Sequence, residues 1–389
     1  MKSDRLQGLS LGIFTELANR KQKVKQQGRK VIDLSVGNPD LPPHPRIMST
    51  LSTWAQDGSK YGYTLHAIPA FNPAVAQFYS DRYNVDLQPN QEILQVPGTQ
   101  DGLFQLALSI INPGDYALVT DPGYPIYETS VKLAGGRVYY IPLTEENGFF
   151  PRLDQIPESI LKKAKLLFIN FPGNPIPQLA PPSFFEEVVF YAKKFDFKVI
   201  HDFTYSELVF DQERATSFLN IPGAKEVGVK FNSLSKTFHM AGCRIGYVVG
   251  NMEIIQALSL LMSHTHYGIF YPIQKAAEEA LKSGDSFYRS HIRIYQSRRD
   301  LVIKELKKSG WDVMNPPATM YIWAKIPLSV SSTEFCYRLM EDTGVVLKPG
   351  SAFGKNGEGY VRINLVQPEV QLKKAMNLIH HFLLKQGWV

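Results

Sequence analysis

A lysine set among small and hydroxylated residues, away from any run of charge, is a candidate nucleophile. Lys236 is such a residue. It lies in the stretch 232–250, NSLSKTFHMAGCRIGYVVG, with Ser233 and Ser235 just before it and Arg244 eight residues after. Its amine can condense with an aldehyde held beside it. The two serines and the arginine suit a different task, holding a dianion such as a phosphate by charge-assisted hydrogen bonds. On this stretch alone a solvated lysine at a strand end explains the residues equally well, so partners elsewhere in the chain decide.

Five other places offer partners. Asp202 follows an apolar run and precedes Phe203-Thr204-Tyr205. A carboxylate in such a setting needs a compensating cation or donor. The protonated nitrogen of a pyridine ring would serve, and Tyr205 could then reach a phenolic oxygen on that ring. A helix-capping aspartate beside a core tyrosine is the alternative. Asn174, in the turn-rich NFPGNP, can donate to an oxygen in a cleft or simply close an Asx-turn. Gly98-Thr99-Gln100-Asp101-Gly102 opens a helix, whose free N–H groups favour an anion, although glycine-opened helices are common. Arg362 interrupts an apolar strand and suits bidentate grip of a carboxylate if it points inward. Tyr124, in the turn DPGYP, can stack on a planar ring or cap the core. An aldehyde, a phosphate and a pyridine together describe pyridoxal 5'-phosphate (PLP).

The elements that must position these groups read as follows. Residues 11–28 have the spacing of an amphipathic helix, and 30–36 reads as a strand. Helices are expected at 45–55 and 69–83. From residue 92 onward, short apolar runs alternate with helical stretches: EILQVPG, DYALVTD, RVYYIPL, KLLFINF and FKVIHDF. Such alternation predicts a buried, mostly parallel sheet with helices on both faces. Ligands bind at the carboxyl ends of those strands, and Gly98, Asn174, Asp202 and Lys236 all fall just after one. Past residue 251 long helices (252–263, 272–283, 286–309) precede strand-like TMYIWAKI, VVLKPG and GYVRINLV and a closing helix at 368–385. That pattern predicts a second, smaller α+β domain. The expected division is 45–285 for the large domain, and 1–44 with 286–389 for the small one.

Composition excludes several classes. With 389 residues, 44% hydrophobic and 20% charged, the chain is an ordinary globular protein. Net charge is +6, and a basic run near 21–30 reads as a solvated helix face rather than a nucleic-acid site. Two cysteines, Cys243 and Cys336, have no metal spacing, and no metal is expected. No secretory signal, membrane span or nucleic-acid partner is expected, and a cytoplasmic location is. Dinucleotide-binding and nucleophile-elbow motifs are missing.

The residues in order resemble the class I/II PLP-dependent aminotransferases of fold type I, and lean towards the aspartate/LL-diaminopimelate aminotransferase-like branch. The segments carrying the resemblance are GNPD at 37–40, GTQDG at 98–102, NPGD at 112–115 and DPGYP at 121–125. They continue with NFPGNP at 170–175, DFTY at 202–205, SLSKTFHMAGCRIG at 233–246 and PGSAFGKNGEGYVRI at 349–363. The resemblance implies that Lys236 forms the internal aldimine and then shuttles a proton, with Asp202 and Tyr205 completing the catalytic set. Asp202 would pair with the pyridine nitrogen, and Asn174 and Tyr205 would bond the phenolic oxygen. Thr99, Gln100, Ser233, Ser235 and Arg244 would hold the phosphate, with Tyr124 stacked on the ring. Arg362 would clamp the substrate α-carboxylate, helped by Asn174 and the Gly37 backbone. Tyr61 would reach the phosphate of a neighbouring subunit, which implies a homodimer.

Three departures stand out: Asn174-Pro175-Ile176-Pro177 where the family has Asn-Pro-Thr-Gly, Gln100 where this branch often has lysine, and Cys243 in place of a tryptophan. The implied reaction passes an amino group from an L-amino acid to a 2-oxo acid. A carbon–sulfur β-lyase on the same scaffold is the alternative. A PLP-sensing regulator would need a DNA-binding domain, for which the roughly 30 residues before the first strand are too few. Residues 263–270 and the 319–321 turn are candidates for the substrate side-chain subsite.

Overall fold

In the computed structural model, residues 3–6 and 12–388 are described. The strands, in chain order, are β1 (Ile32–Asp33), β2 (Ile93–Val96), β3 (Tyr116–Asp121), β4 (Arg137–Pro142), β5 (Ala164–Ile169) and β6 (Lys198–Asp202). There follow β7 (Gly228–Ser233), β8 (Gly246–Gly250), β9 (Tyr321–Lys325), β10 (Val345–Val346), β11 (Lys348–Pro349) and β12 (Tyr360–Asn364). Seven of them form one sheet in the order β2-β8-β7-β6-β5-β3-β4. All pairs in it are parallel except those of β8, which runs antiparallel to both β2 and β7. The mostly parallel α/β sheet expected from the sequence is present.

Why the sheet is buried on both faces is visible within β5. Leu166 and Phe168 point to one side, Leu167 and Ile169 to the other, and all four are fully buried. Leu166 and Phe168 join a core with helices Thr99–Ile110, Pro125–Leu133 and Met252–Thr265. Leu167 and Ile169 join a second core with Phe71–Tyr83, Pro182–Phe195 and Tyr271–Lys282. Four apolar residues in a row are thus explained by helices above and below.

A three-stranded antiparallel sheet, β11-β12-β9, forms a separate layer packed on helices Arg289–Lys308, Ser332–Thr343 and Glu369–Lys385. The N-terminal segment joins this layer, because β1 pairs in parallel with β10. Arg298 on the long helix holds Asp40 bidentately at 2.8 Å through both terminal nitrogens, fixing the loop after β1.

Boundaries shift where local chemistry competes. The strand expected over 30–36 is only Ile32–Asp33, because the Asp33 carboxylate takes both the Ser35 backbone N–H (2.9 Å) and hydroxyl (2.6 Å) and turns the chain out of the ladder. The helix expected over 11–28 is described from Gly12 to Gln26, and residue 11 lies outside the described residues. Pro45–Ala55 forms as expected, with proline in its first turn. Among the described residues no helix is long and apolar enough to cross a membrane.

Candidate active site

A cavity of about 370 Å³ opens at the carboxyl ends of the parallel strands, between the seven-stranded sheet and the β11-β12-β9 layer. Gly37, Thr99, Gln100, Tyr124 and Asn174 line it, as do Asp202, Tyr205, Ser233, Ser235, Lys236, Arg244 and Arg362. Every residue given a cofactor, catalytic or α-carboxylate role from the sequence is therefore here except Tyr61. That tyrosine is exposed and donates its hydroxyl to the Ala55 carbonyl at 2.8 Å.

Lys236 is the third residue of the four-residue helix Leu234–Thr237, which Ser233 caps by accepting from the Ser235 N–H at 3.1 Å. Its Nζ donates to the Gly37 carbonyl at 2.6 Å. Burial, and to a lesser degree the positive charges of Arg362 and Arg244, hold the Lys236 pKa below the ordinary lysine value. Both effects favour the neutral amine, the form that attacks a carbonyl.

Asp202 terminates β6 and is buried. Its carboxylate accepts from the Tyr127 hydroxyl (2.8 Å), the Thr204 hydroxyl (2.6 Å) and the Thr204 backbone N–H (3.1 Å). All of these donors are neutral. Burial pushes the Asp202 pKa up, against the pull of the hydrogen bonds. The group is thus a carboxylate that a cation in the cavity would stabilise.

The opposite charge stands on β12. Arg362 is buried, with Nη1 on Asn174 Oδ1 at 2.5 Å and Nη2 on the Ser35 carbonyl at 2.8 Å, while Nε has no partner. Its guanidinium carbon lies 4.2 Å from the centre of the Tyr321 ring. Arg244, in a left-handed conformation, donates to the Ala241 carbonyl at 2.9 Å. Gly98 is required beside it: φ is +89°, and a Cβ there would collide with the Arg244 guanidinium. Neither arginine has a carboxylate partner among the described residues, and the helix Thr99–Ile110 points its free N–H groups to the same end of the cavity.

The chain matches the family described as "Aminotransferase class I and II" over residues 29–379. The chain belongs to that family. It is 40% identical to an LL-diaminopimelate aminotransferase of Halothermothrix orenii, over 98% of this chain and 99% of that one. One from Dehalococcoides mccartyi is 39% identical over 98% of both. Among solved structures, substrate-bound BacF from Bacillus subtilis superposes with a TM-score of 0.95 at 35% identity, covering 98% of each chain. Aspartate aminotransferase from Thermotoga maritima gives 0.92 at 29% identity, over 98% of this chain and 100% of that one. The fold is therefore fold type I, and the protein is a PLP-dependent aminotransferase of the LL-diaminopimelate aminotransferase-like branch. None of these relatives favours the β-lyase alternative.

The donor set of this aminotransferase fits its cofactor. A buried carboxylate without a cation suits a pyridinium, an arginine at a helix N-terminus suits a phosphate, and an amine favoured in its neutral form suits an aldehyde. Several residues that line or support the site were not given a role from the sequence. Tyr127 stands one helical turn beyond Tyr124 and so shares its face, which was the available clue. Thr204, two residues after Asp202, follows the Asx pattern. Asn170 ties β5 to β6 by donating to the Asp202 carbonyl at 2.7 Å and accepting from the Asn174 N–H at 2.8 Å. Of the two candidate side-chain subsites, Tyr321 does line the cavity. Residues 263–270 do not: Ser263, His266, Gly268 and Ile269 face a different cavity with Leu65, His66 and Ile93. The helix Met252–Thr265 carries the chain there, onto β2.

Proposed function

We propose that this cavity is the site of amino transfer, with each residue acting as its chemistry suits. Lys236 would hold the cofactor through its Nζ, and the same amine is placed to act as the base at the substrate Cα. When bound, PLP supplies an electron-poor ring that accepts the electrons of that C–H bond. Asp202 would pair with the ring nitrogen, Tyr205 and Asn174 with the phenolic oxygen, and Tyr124 would take the ring face. Thr99, Gln100, Ser233, Ser235 and Arg244 take the phosphate. Arg362, with Asn174 and the Gly37 backbone, takes the substrate α-carboxylate. The observation carrying this reading is that a buried arginine with no carboxylate partner among the described residues shares one cavity with a half-buried lysine amine.

The amino donor we propose is LL-diaminopimelate, on the strength of the relatives that bear that name at 38–40% identity along nearly the whole chain. A panel of LL-diaminopimelate, aspartate, glutamine and methionine against 2-oxoglutarate, pyruvate and oxaloacetate tests it. The expected result is the highest kcat/KM for LL-diaminopimelate. Preference for another donor overturns the substrate, and release of pyruvate and ammonia from cystathionine would revive the lyase. Lys236→Ala should lose both turnover and the visible absorption of the bound cofactor; retained transamination overturns the assignment.

The remaining proposals concern assembly. Residues 45–285 form the large domain, and 1–44 with 286–389 the small one. Two chains form a homodimer in which Tyr61 reaches the partner's phosphate. Supporting this is a cluster of exposed aromatic rings, Tyr61 against Phe270 and Tyr63 against Tyr267, which a single chain leaves in water. A cytoplasmic location accords with the free thiols of Cys243 and Cys336.

A further inference from the structure

Two buried hydroxyls meet in this cavity. The Tyr205 and Tyr321 oxygens lie 2.8 Å apart, and either can be the donor. Among the described residues neither hydroxyl has a second hydrogen-bond partner. A bonded pair of hydroxyls uses one proton and leaves one to give away. If Tyr205 donates to Tyr321, Tyr205 has nothing left for a ligand. If Tyr321 donates to Tyr205, the Tyr205 proton is free to point into the cavity.

Three features hold Tyr321 where it can donate. Its ring lies beneath the Arg362 guanidinium at 4.2 Å, a cation–π contact that fixes the ring in place. Its backbone is fixed by pairing with Asn364 across β9 and β12 and by an N–H bond to Thr319 Oγ1 at 3.2 Å. Its hydroxyl occupies the space where a Cβ on residue 37 would stand, which is open only because that residue is glycine.

We infer that Tyr321 is a positioning residue that directs the Tyr205 proton at the cofactor's phenolic oxygen and thereby tunes the basicity of the bound cofactor. This rests on the proposed role of Tyr205. Burial keeps the Tyr205 pKa well above the ordinary phenol value, so its proton stays on the oxygen at working pH. A donor that itself accepts a hydrogen bond donates more strongly, by roughly 10–30%. Arg362 and Tyr205 are thereby linked through one side chain, so the groups proposed for the substrate carboxylate and for the cofactor share a common support.

The test is a pH titration of the visible absorption of four holoenzymes: wild type, Tyr321→Phe, Tyr205→Phe and the double variant. Phenylalanine keeps the ring under Arg362 and removes only the hydroxyl. A weaker bond from Tyr205 leaves the phenolic oxygen more basic, so the protonated form persists to higher pH and the midpoint rises. Tyr321→Phe should raise the midpoint by more than about 0.2 unit, the size set by a fractional loss of one charge-assisted bond. Tyr205→Phe should raise it further, and the double variant should match Tyr205→Phe alone. A smaller shift, or an equal Tyr321→Phe shift in the Tyr205→Phe background, overturns the inference while leaving the proposed function intact. Absence of a visible band in PLP-loaded wild type would overturn both. A large KM change with an unmoved midpoint would make Tyr321 a support for Arg362 alone, and the inference would be wrong.

Discussion

Arg362 Nη1 donates to Asn174 Oδ1 at 2.5 Å, joining β12 to the loop after β5. The bond has two consequences. It occupies the Asn174 carbonyl oxygen, so the amide nitrogen is the end left to donate to a ligand. It also fixes the guanidinium plane, with help from the Ser35 carbonyl and the Tyr321 ring. A planar fork held in one orientation is preorganised for a carboxylate.

Arg362→Lys keeps the charge and loses the fork. Breaking a buried charge-assisted pair costs about 2–5 kcal/mol, so kcat/KM for amino donors should fall at least ~30-fold. The cofactor should still bind and show its visible absorption. Steady-state kinetics with two unrelated donors check this, and a change below ~3-fold in both would remove Arg362 from carboxylate binding.

Asp202 gives a prediction in which stability and function part company. Its carboxylate is buried with only neutral donors, so in the cofactor-free protein the charge is poorly compensated. Asp202→Asn keeps the side-chain shape and discards the charge. The cofactor-free variant should melt at or above the wild-type temperature, while kcat falls by roughly 10²-fold or more from the loss of a preorganised electrostatic partner. Calorimetry without PLP and turnover with it make the comparison. A variant that melts well below wild type and still turns over normally would assign Asp202 a structural role.

How much of this was legible in the sequence follows from what each feature depends on. Five of the seven strands of the large sheet announced themselves as apolar runs, and in its central strands burial on both faces demands them. The residues at their ends were legible too, since parallel strands must bring their carboxyl ends together. What escaped depended on approach in space. The 319–321 turn was a candidate, but the pairing of Tyr321 with Tyr205 has no mark in the sequence, and neither does its approach to Gly37. Tyr127 is an ordinary helix residue until β6 places Asp202 against its hydroxyl. Residues 30–36 carry strand-like residues, yet Asp33 captures Ser35 and the ladder stops early. Side-chain competition of this kind has no periodicity to betray it.

His239 lies three residues beyond Lys236, with its ring stacked on His291 at 3.8 Å between centroids. Its Nδ1 meets the Leu41 carbonyl at 2.9 Å, and its Nε2 is buried without a partner. Burial drives its pKa down to about 4, with His291 and Lys236 opposing protonation and Asp40 favouring it. Burial and His44 lower His291 as well, again against Asp40. Between pH ~4 and ~6.5 the folded protein therefore binds fewer protons here than the unfolded chain, so stability rises with pH across that window. The penalty is fully present below the folded pKa and absent above the unfolded one. His239→Asn, which can still bond Leu41, removes its share, at most on the order of 3 kcal/mol. Its unfolding free energy should accordingly fall less than that of wild type as pH drops from 7 to 4.5, measured by urea denaturation at several pH values. Parallel curves over that range would show that the His239 ring is already free to take up a proton in the folded state.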